Sequence, residues 1–291
     1  MTVALTTSAT PATSSASASL SPSQAPPCPI RQAAQEGLPP WQGEDAFDKC
    51  IRSAEGRWLV TPDKTDPDGY RHTLAFDGAR GERWTLAVDA PLALARRLDG
   101  GVIVVDLKNH VTLVSNAGAV VWKTEHPKCG MLESLAVDYS GNAIWSCGYS
   151  LLRVDANGHF AWQKWPFRDH HMGSVWVDRG GLVYTSGDGV VIALSPEGEE
   201  RWRFATGFNR AIGKLVWTAQ ANLVFDTSMA ELHSDTDSAG YSFYYDVEPN
   251  ELFEISRGGA LVTRAKREGS APPQWPVVLP VPEDGSHRLP F

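Results

Sequence analysis

Tryptophan recurs along this chain at Trp84, Trp122, Trp162 and Trp202, with gaps of 38, 40 and 40 residues. Each closes a similar phrase: LAFDGARGERW, TLVSNAGAVVW, LRVDANGHFAW and IALSPEGEERW. In the last three, Gly118, Gly158 or Gly198 stands four residues before the tryptophan; in the first, Gly81 stands three before it. A fixed period of this kind means that one supersecondary unit is copied along the chain. Such units bury their apolar faces against neighbouring copies rather than alone.

The best-preserved copy, residues 174–204, reads as four short strands at 175–177, 182–185, 190–194 and 201–204. Turns rich in Gly, Asp, Ser and Pro separate them, which is the pattern of meandering antiparallel strands. Similar copies occupy 135–162 and 100–122, and a degraded one runs from about 58 to 84. A fifth begins at 214–228, is interrupted by HSDTDSAGYSFYYDVEPN at 233–250, and resumes at ELFEISRGGALV. Trp275, 73 residues after Trp202, fits a sixth, eroded copy. Four-stranded units of about 40 residues predict an all-β fold, a β-propeller of five or six blades. The repeating tryptophan is then a scaffold residue on each outer strand, packed between neighbouring blades. A short helix is expected near 44–53.

The predicted propeller covers 51–285, with an insertion at about 229–250. Residues 1–50 form a low-complexity segment; the first 27 are mostly Ser, Thr, Ala and Pro without a charged side chain, a disorder-prone composition. A net charge of −8 argues against nucleic acid as a partner. No stretch has the apolar length of a membrane span. The start lacks the basic and apolar regions of a secretory leader, so the cytoplasm is the expected location. The cysteines leave a second location open. Cys28 with Cys50, and Cys129 with Cys147, are placed to pair, which would suit the periplasm or secretion. Four free thiols are the other reading.

The phrase GLVYTSGDGVVIALSPEGEERWRFATG, residues 181–207, resembles the blade of the PQQ-like repeat family of β-propellers. Ala193 and Leu194 match its Ala-Leu step, Ser195 replaces its usual Asp, and Asp77 and Asp155 retain that Asp in other copies. The resemblance implies one of two roles: a quinoprotein dehydrogenase with quinone and calcium, or a non-catalytic assembly scaffold. The adjacent cysteine pair and oxygen-ligand cluster of the dehydrogenases are missing from the sequence, so no cofactor and no metal are expected.

Functional groups on such a scaffold concentrate in the loops of one face, around the axis. Connections between blades bring His126, Arg168, Asp169, His170, His171, Asn209 and Arg210 towards that mouth as candidate binding residues. Turns between second and third strands add Lys108, Asn109, Tyr149, Ser186 and Asp188. The insertion carries Tyr241, Phe243, Tyr244 and Tyr245, a composition suited to a protein contact. No catalytic residue is assigned. The expected function is a non-catalytic scaffold for protein partners; the alternative is an enzyme acting on a small molecule at the axial mouth.

Overall fold

The computed structural model describes residues 49–63, 65–128, 132–167, 172–187, 189–207, 211–212, 215–229, 235–236, 242–243, 247–266 and 284–291. Blade 1 comprises β1 (Lys49–Ser53), β2 (Gly56–Pro62), β3 (Arg71–Gly78) and β4 (Arg83–Asp89). Blade 2 comprises β5 (Pro91–Arg96), β6 (Val102–Asp106), β7 (His110–Val114) and β8 (Val120–Glu125). Blade 3 comprises β9 (Leu132–Val137), β10 (Ala143–Cys147), β11 (Ser150–Val154) and β12 (Phe160–Lys164). Blade 4 comprises β13 (Trp176–Val177), β14 (Val183–Gly187), β15 (Val190–Leu194) and β16 (Glu200–Ala205).

In blade 5 the first strand is split into β17 (Ala211–Ile212) and β18 (Val216–Trp217), both paired with β19 (Leu223–Met229). A two-stranded hairpin, β20 (Asp235–Thr236) and β21 (Ser242–Phe243), follows within the predicted insertion. The blade resumes with β22 (Val247–Ile255) and β23 (Leu261–Lys266). Strand pairing within every blade is antiparallel. The described residues therefore form a five-bladed β-propeller arrangement. The expected helix near 44–53 is not found over 49–53: those residues pair with 56–60 across a tight turn, and Ile51 is buried beneath the next blade. The sixth blade, Trp275 and the first 48 residues lie outside the described residues.

The core is a series of seams between blades. Trp58, Phe76 and Trp84 of blade 1 pack on Val102, Val104 and Val114 of blade 2. Ile103, Leu113 and Trp122 meet Leu135, Val137 and Trp145. Ile144, Leu151 and Trp162 meet Val183, Ile192 and Leu194. Tyr184, Ala193 and Trp202 meet Trp217, Phe225 and Phe253.

The tryptophan period has a direct structural cause. Trp84, Trp122 and Trp202 each lie on a turn glycine of the following blade: Gly118, Gly158 and Gly259. A methyl group added to that glycine would come within 2.7 Å of the indole. Trp162 meets Gly198 in the same way, with Lys164 beside it. Each ring also donates its Nε1–H to the carbonyl two residues before the glycine. The acceptors are Asn116 (2.8 Å), Ala156 (3.1 Å), Pro196 (2.9 Å) and Arg257 (3.0 Å). Glycine is required twice over at these turns, by close approach and by φ near +80 to +90°. The Asp or Ser that opens the turn caps it: Asp155 accepts from the backbone N–H of Asn157 and His159, and Ser195 from those of Glu197 and Glu199.

The glycine-to-tryptophan gap is also explained. In blades 2, 3 and 4 the third and fourth strands shift register beside the tryptophan, leaving one bulged residue. Blade 1 pairs without that shift, and its gap is one residue shorter.

Candidate functional site

A meander of four strands places its two kinds of connection at opposite ends of the axis. The second-to-third turns and the blade-to-blade connections share one face; the glycine turns share the other. On the first face the two kinds of connection are stitched together. Ala90 N–H donates to Tyr70 O, His126 to Asn109 O, Met172 to Gly148 O and Thr206 to Gly189 O. Three of these second-to-third turns present an outward apolar side chain: Tyr70 (52 % exposed), Leu107 (49 %) and Tyr149 (48 %). Trp165, just after β12 on the same face, is 64 % exposed. A row of exposed large apolar groups along one face marks a candidate interaction surface; Leu98, Val120, Val121, Phe160, Leu261 and Val262 are exposed elsewhere.

Of the candidates on the blade-to-blade connections, His126 is the one that falls among the described residues with its side chain. It is 4 % exposed, with its ring edge-on to Trp145 at 5.1 Å. Its Nδ1 lies 2.7 Å from the carbonyl of Pro127, which fixes the proton there. Burial holds its pKa below the usual histidine value, against the opposing pull of that carbonyl and of Asp106. His126 is thus a neutral residue inside the seam between blades 2 and 3. Ser186 is likewise buried. Arg168, Asp169, His170, His171, Asn209, Arg210, Tyr241, Tyr244, Tyr245 and Asp188 lie outside the described residues. Phe243 is described only as part of β21.

Nothing in the repeat pattern signals what occupies the axis. Residues 284–291 run across the ends of the first strands. Arg96 N–H donates to Asp284 O (2.9 Å), Val137 to Ser286 O (2.8 Å) and Val177 to His287 O (3.1 Å); Leu289 N–H donates back to Val177 O (2.7 Å). Arg288 forms a parallel bridge to Val177. Leu289 is buried in the seam of blades 4 and 5, and Phe291 packs on Trp217. The segment therefore ties blades 2 to 5 together at the axis.

Above it lies a cavity of about 350 Å³ lined by Leu92, Leu94, Leu132, Ser134, Gly285 and His287, among others. His287 adopts φ of +50°, unusual for a residue with a side chain, and stacks on Trp176 at 4.8 Å. Its Nδ1 lies 3.0 Å from Val175 O and 3.2 Å from Ser134 Oγ. A carbonyl only accepts, so that nitrogen carries the proton and cannot take one from Ser134. Ser134 Oγ also accepts the Val175 N–H at 3.0 Å. The pair is arranged for holding backbone, not as nucleophile and base.

Among the described residues no group of three or more His, Cys, Asp or Glu side chains is placed to hold a metal ion. Cys50 and Cys147 are both disulfide-bonded, and no described cysteine is free. No helix among the described residues is long and apolar enough to cross a membrane.

The blades and their shared seams define a β-propeller. No family model matches the chain, and no curated protein matches it. Solved structures do. Selenomethionine-substituted virginiamycin B lyase from Staphylococcus aureus is 10 % identical and has a TM-score of 0.53; the match covers 76 % of this chain and 70 % of the lyase. A protein of unknown function from Bacteroides caccae is 16 % identical with a TM-score of 0.40, over 72 % of this chain and 82 % of that one. At such identities the likeness to the lyase shows the fold alone.

Proposed function

We propose that this protein is a non-catalytic propeller scaffold that binds protein partners through the face bearing Tyr70, Leu107, Tyr149 and Trp165. The observation that carries this reading is the row of large apolar side chains held outward by the second-to-third turns of blades 1 to 3, with Trp165 on the same face. At the other face the glycine turns of blades 2 to 5 are filled by the preceding blade's tryptophan. The blade phrases resemble the PQQ-like repeat family, one arm of which is non-catalytic scaffolds, and Ser134 and His287 at the axis are engaged in holding backbone. Two disulfide-bonded cysteines support an oxidising compartment over the cytoplasm, because such bonds are rare where thiols are kept reduced.

The test is photo-cross-linking in the native extract. A cross-linking amino acid at 149 or 165 should capture a defined partner, whereas one at Leu98, exposed on the opposite face, should not. Capture from position 98 alone would reject the reading. A second reading, an enzyme acting on a small molecule at the axial cavity, draws on the strained His287 beside that 350 Å³ space. It requires a small molecule from the same extract that raises the melting temperature of the protein but not of a Leu92→Arg variant.

A further inference from the structure

Among the described residues the tryptophan joints are a series with one member missing. The glycine turn of blade 1 has the same backbone hydrogen bonds as the other four, with Gly78 at the position where Ser or Asp caps the others. Gly78 N–H donates to Glu82 O (2.7 Å) and Gly81 N–H to Gly78 O (3.0 Å). The corresponding pairs in blade 2 are Ser115 with Ala119 (2.8 Å) and Gly118 with Ser115 (3.0 Å). Gly81 has φ of +91°, against +81° to +88° at Gly118, Gly158, Gly198 and Gly259. The Ala79 carbonyl stands where Asn116, Ala156, Pro196 and Arg257 accept an indole N–H. Yet a methyl group at Gly81 would meet nothing within 4 Å among the described residues, while at Gly118, Gly158 and Gly259 it would strike a tryptophan at 2.7 Å.

The described residues do not supply a tryptophan to complete the series. Thr263 of β23 pairs with Glu254 at the register where Trp162 pairs with Arg153 and Trp202 with Ala193. Thr263 is exposed, as are its neighbours Leu261 and Val262. A threonine has no aromatic face to lay on a glycine and no N–H in that position.

We propose that the blade 1 flank around Gly81 is a docking site for a tryptophan carried on an extended strand of a partner protein. The chemistry of the occupant is read from four filled copies of the site in the same molecule. It must present a flat ring to the glycine and an N–H to the Ala79 carbonyl, which together specify an indole over phenylalanine or leucine. A second copy of this chain is a poor occupant: its outer-strand tryptophans are engaged, and its last described blade offers Thr263. The site extends an interface already built four times. It rests on the scaffold reading only in taking the occupant to be a protein. It lies on the opposite face from Tyr149 and Trp165, so the two can fail separately.

The experiment uses the full chain, labelled with ¹⁵N, and a synthetic peptide copying residues 119–125, the strand that carries Trp122. The expected result is a saturable shift of the Gly81 amide resonance that is lost when the peptide carries Trp122→Ala. Binding should weaken at least tenfold in Gly81→Ala, whose added methyl occupies the space of the ring. If that variant does not fold, the comparison of the two peptides still decides. No movement of the Gly81 amide at millimolar peptide overturns the proposal. So does movement of that amide in a Trp275→Ala chain without peptide, because the protein's own 267–283 connection would then fill the site. Cross-linking from positions 149 and 165 is unaffected by either result.

Discussion

The inner blades and the terminal blades of this propeller share a strand plan and differ in what covers them. In β7, β11 and β15, the third strands of blades 2, 3 and 4, all but one residue of each strand are buried, on both faces. In β3 of blade 1 burial alternates: Leu74 and Phe76 are buried, while Thr73, Ala75 and Asp77 are not. In blade 5, Glu251, Phe253 and Ile255 of β22 are buried, and Leu252 and Glu254 between them are only half so. The outer faces are also polar. Asp77 pairs with Arg57 and Arg83 on blade 1, and Glu254 accepts from Asn222 on blade 5. Polar outer faces on the first and last described copies are what a stack of repeats needs at its ends. The comparison separates residues that serve the repeat from residues free to serve something else, and the latter cluster at blade 1, blade 5 and the turn face.

The comparison breaks most sharply at the axis. Deleting 284–291 removes Leu289 from the seam of blades 4 and 5 and the backbone bonds to Arg96, Val137 and Val177. A loss of about 3–5 kcal/mol is expected, the range for emptying a large buried apolar site. Chemical denaturation measures it. A change within about 0.5 kcal/mol would mean that the inner blades hold together without the segment.

The next largest effect should separate inner from terminal outer strands. Trp162→Ala removes a half-buried ring from Gly198 and an N–H bond to Pro196, for an expected cost of about 2–4 kcal/mol. Thr263→Ala, at the equivalent position of blade 5, should stay within about 0.5 kcal/mol. Equal costs at the two positions would erase the distinction drawn between these seams.

Much of this was legible in the sequence. The tryptophan period gave the blades, and the glycine before each gave the turns. The changed spacing at Gly81 marked the blade that lacks the bulge. What the pattern missed follows a common rule: it was not part of the repeat. Residues 284–291 sit at the axis through single-copy contacts, so no period reveals them. Residues 49–53 form a strand with Ile51 as its buried anchor, too short for alternation to outweigh a helical reading. The first strand of blade 5 is split because β17 and β18 reach β19 at separate places. For the candidate site, Tyr149 was named among the turn residues, whereas Tyr70 and Leu107 were not. Their exposure becomes a pattern only once their turns are known to share a face.

Glycine substitution gives a smaller and cleaner contrast. In Gly158→Ala the methyl group meets Trp122 at 2.7 Å and the residue must hold φ of +88°. In Gly81→Ala only the backbone cost remains, about 1–2 kcal/mol for a side chain in the left-handed region. Thermal or chemical denaturation should therefore show Gly158→Ala as the more damaging by about 1–2 kcal/mol, the usual range for overpacking. A reversed order would mean that the blade 1 turn carries a packing load that its open surroundings do not show.

The smallest effect concerns the inner seam between blades 2 and 3, where His126 is buried against Trp145. Its folded pKa is lowered, first by burial; His110 adds to the shift, while the Pro127 carbonyl, Asp106 and Glu125 oppose it. The unfolded chain restores an ordinary histidine, with a pKa of about 6.5. Above that value both states hold His126 neutral, and its contribution to stability is fully present. As the pH falls below about 6.5 the unfolded state takes up a proton that the folded state refuses, so stability declines until the folded residue also protonates. Unfolding free energies from pH 8 to pH 5 should fall more steeply for the native chain than for His126→Gln, with the two profiles running parallel above pH 7. Parallel profiles over the whole range would mean that His126 meets water freely and that this seam is less closed than its neighbours. The carboxylates whose pKa values are lowered, Glu55 among them, titrate below this window and leave the comparison clean.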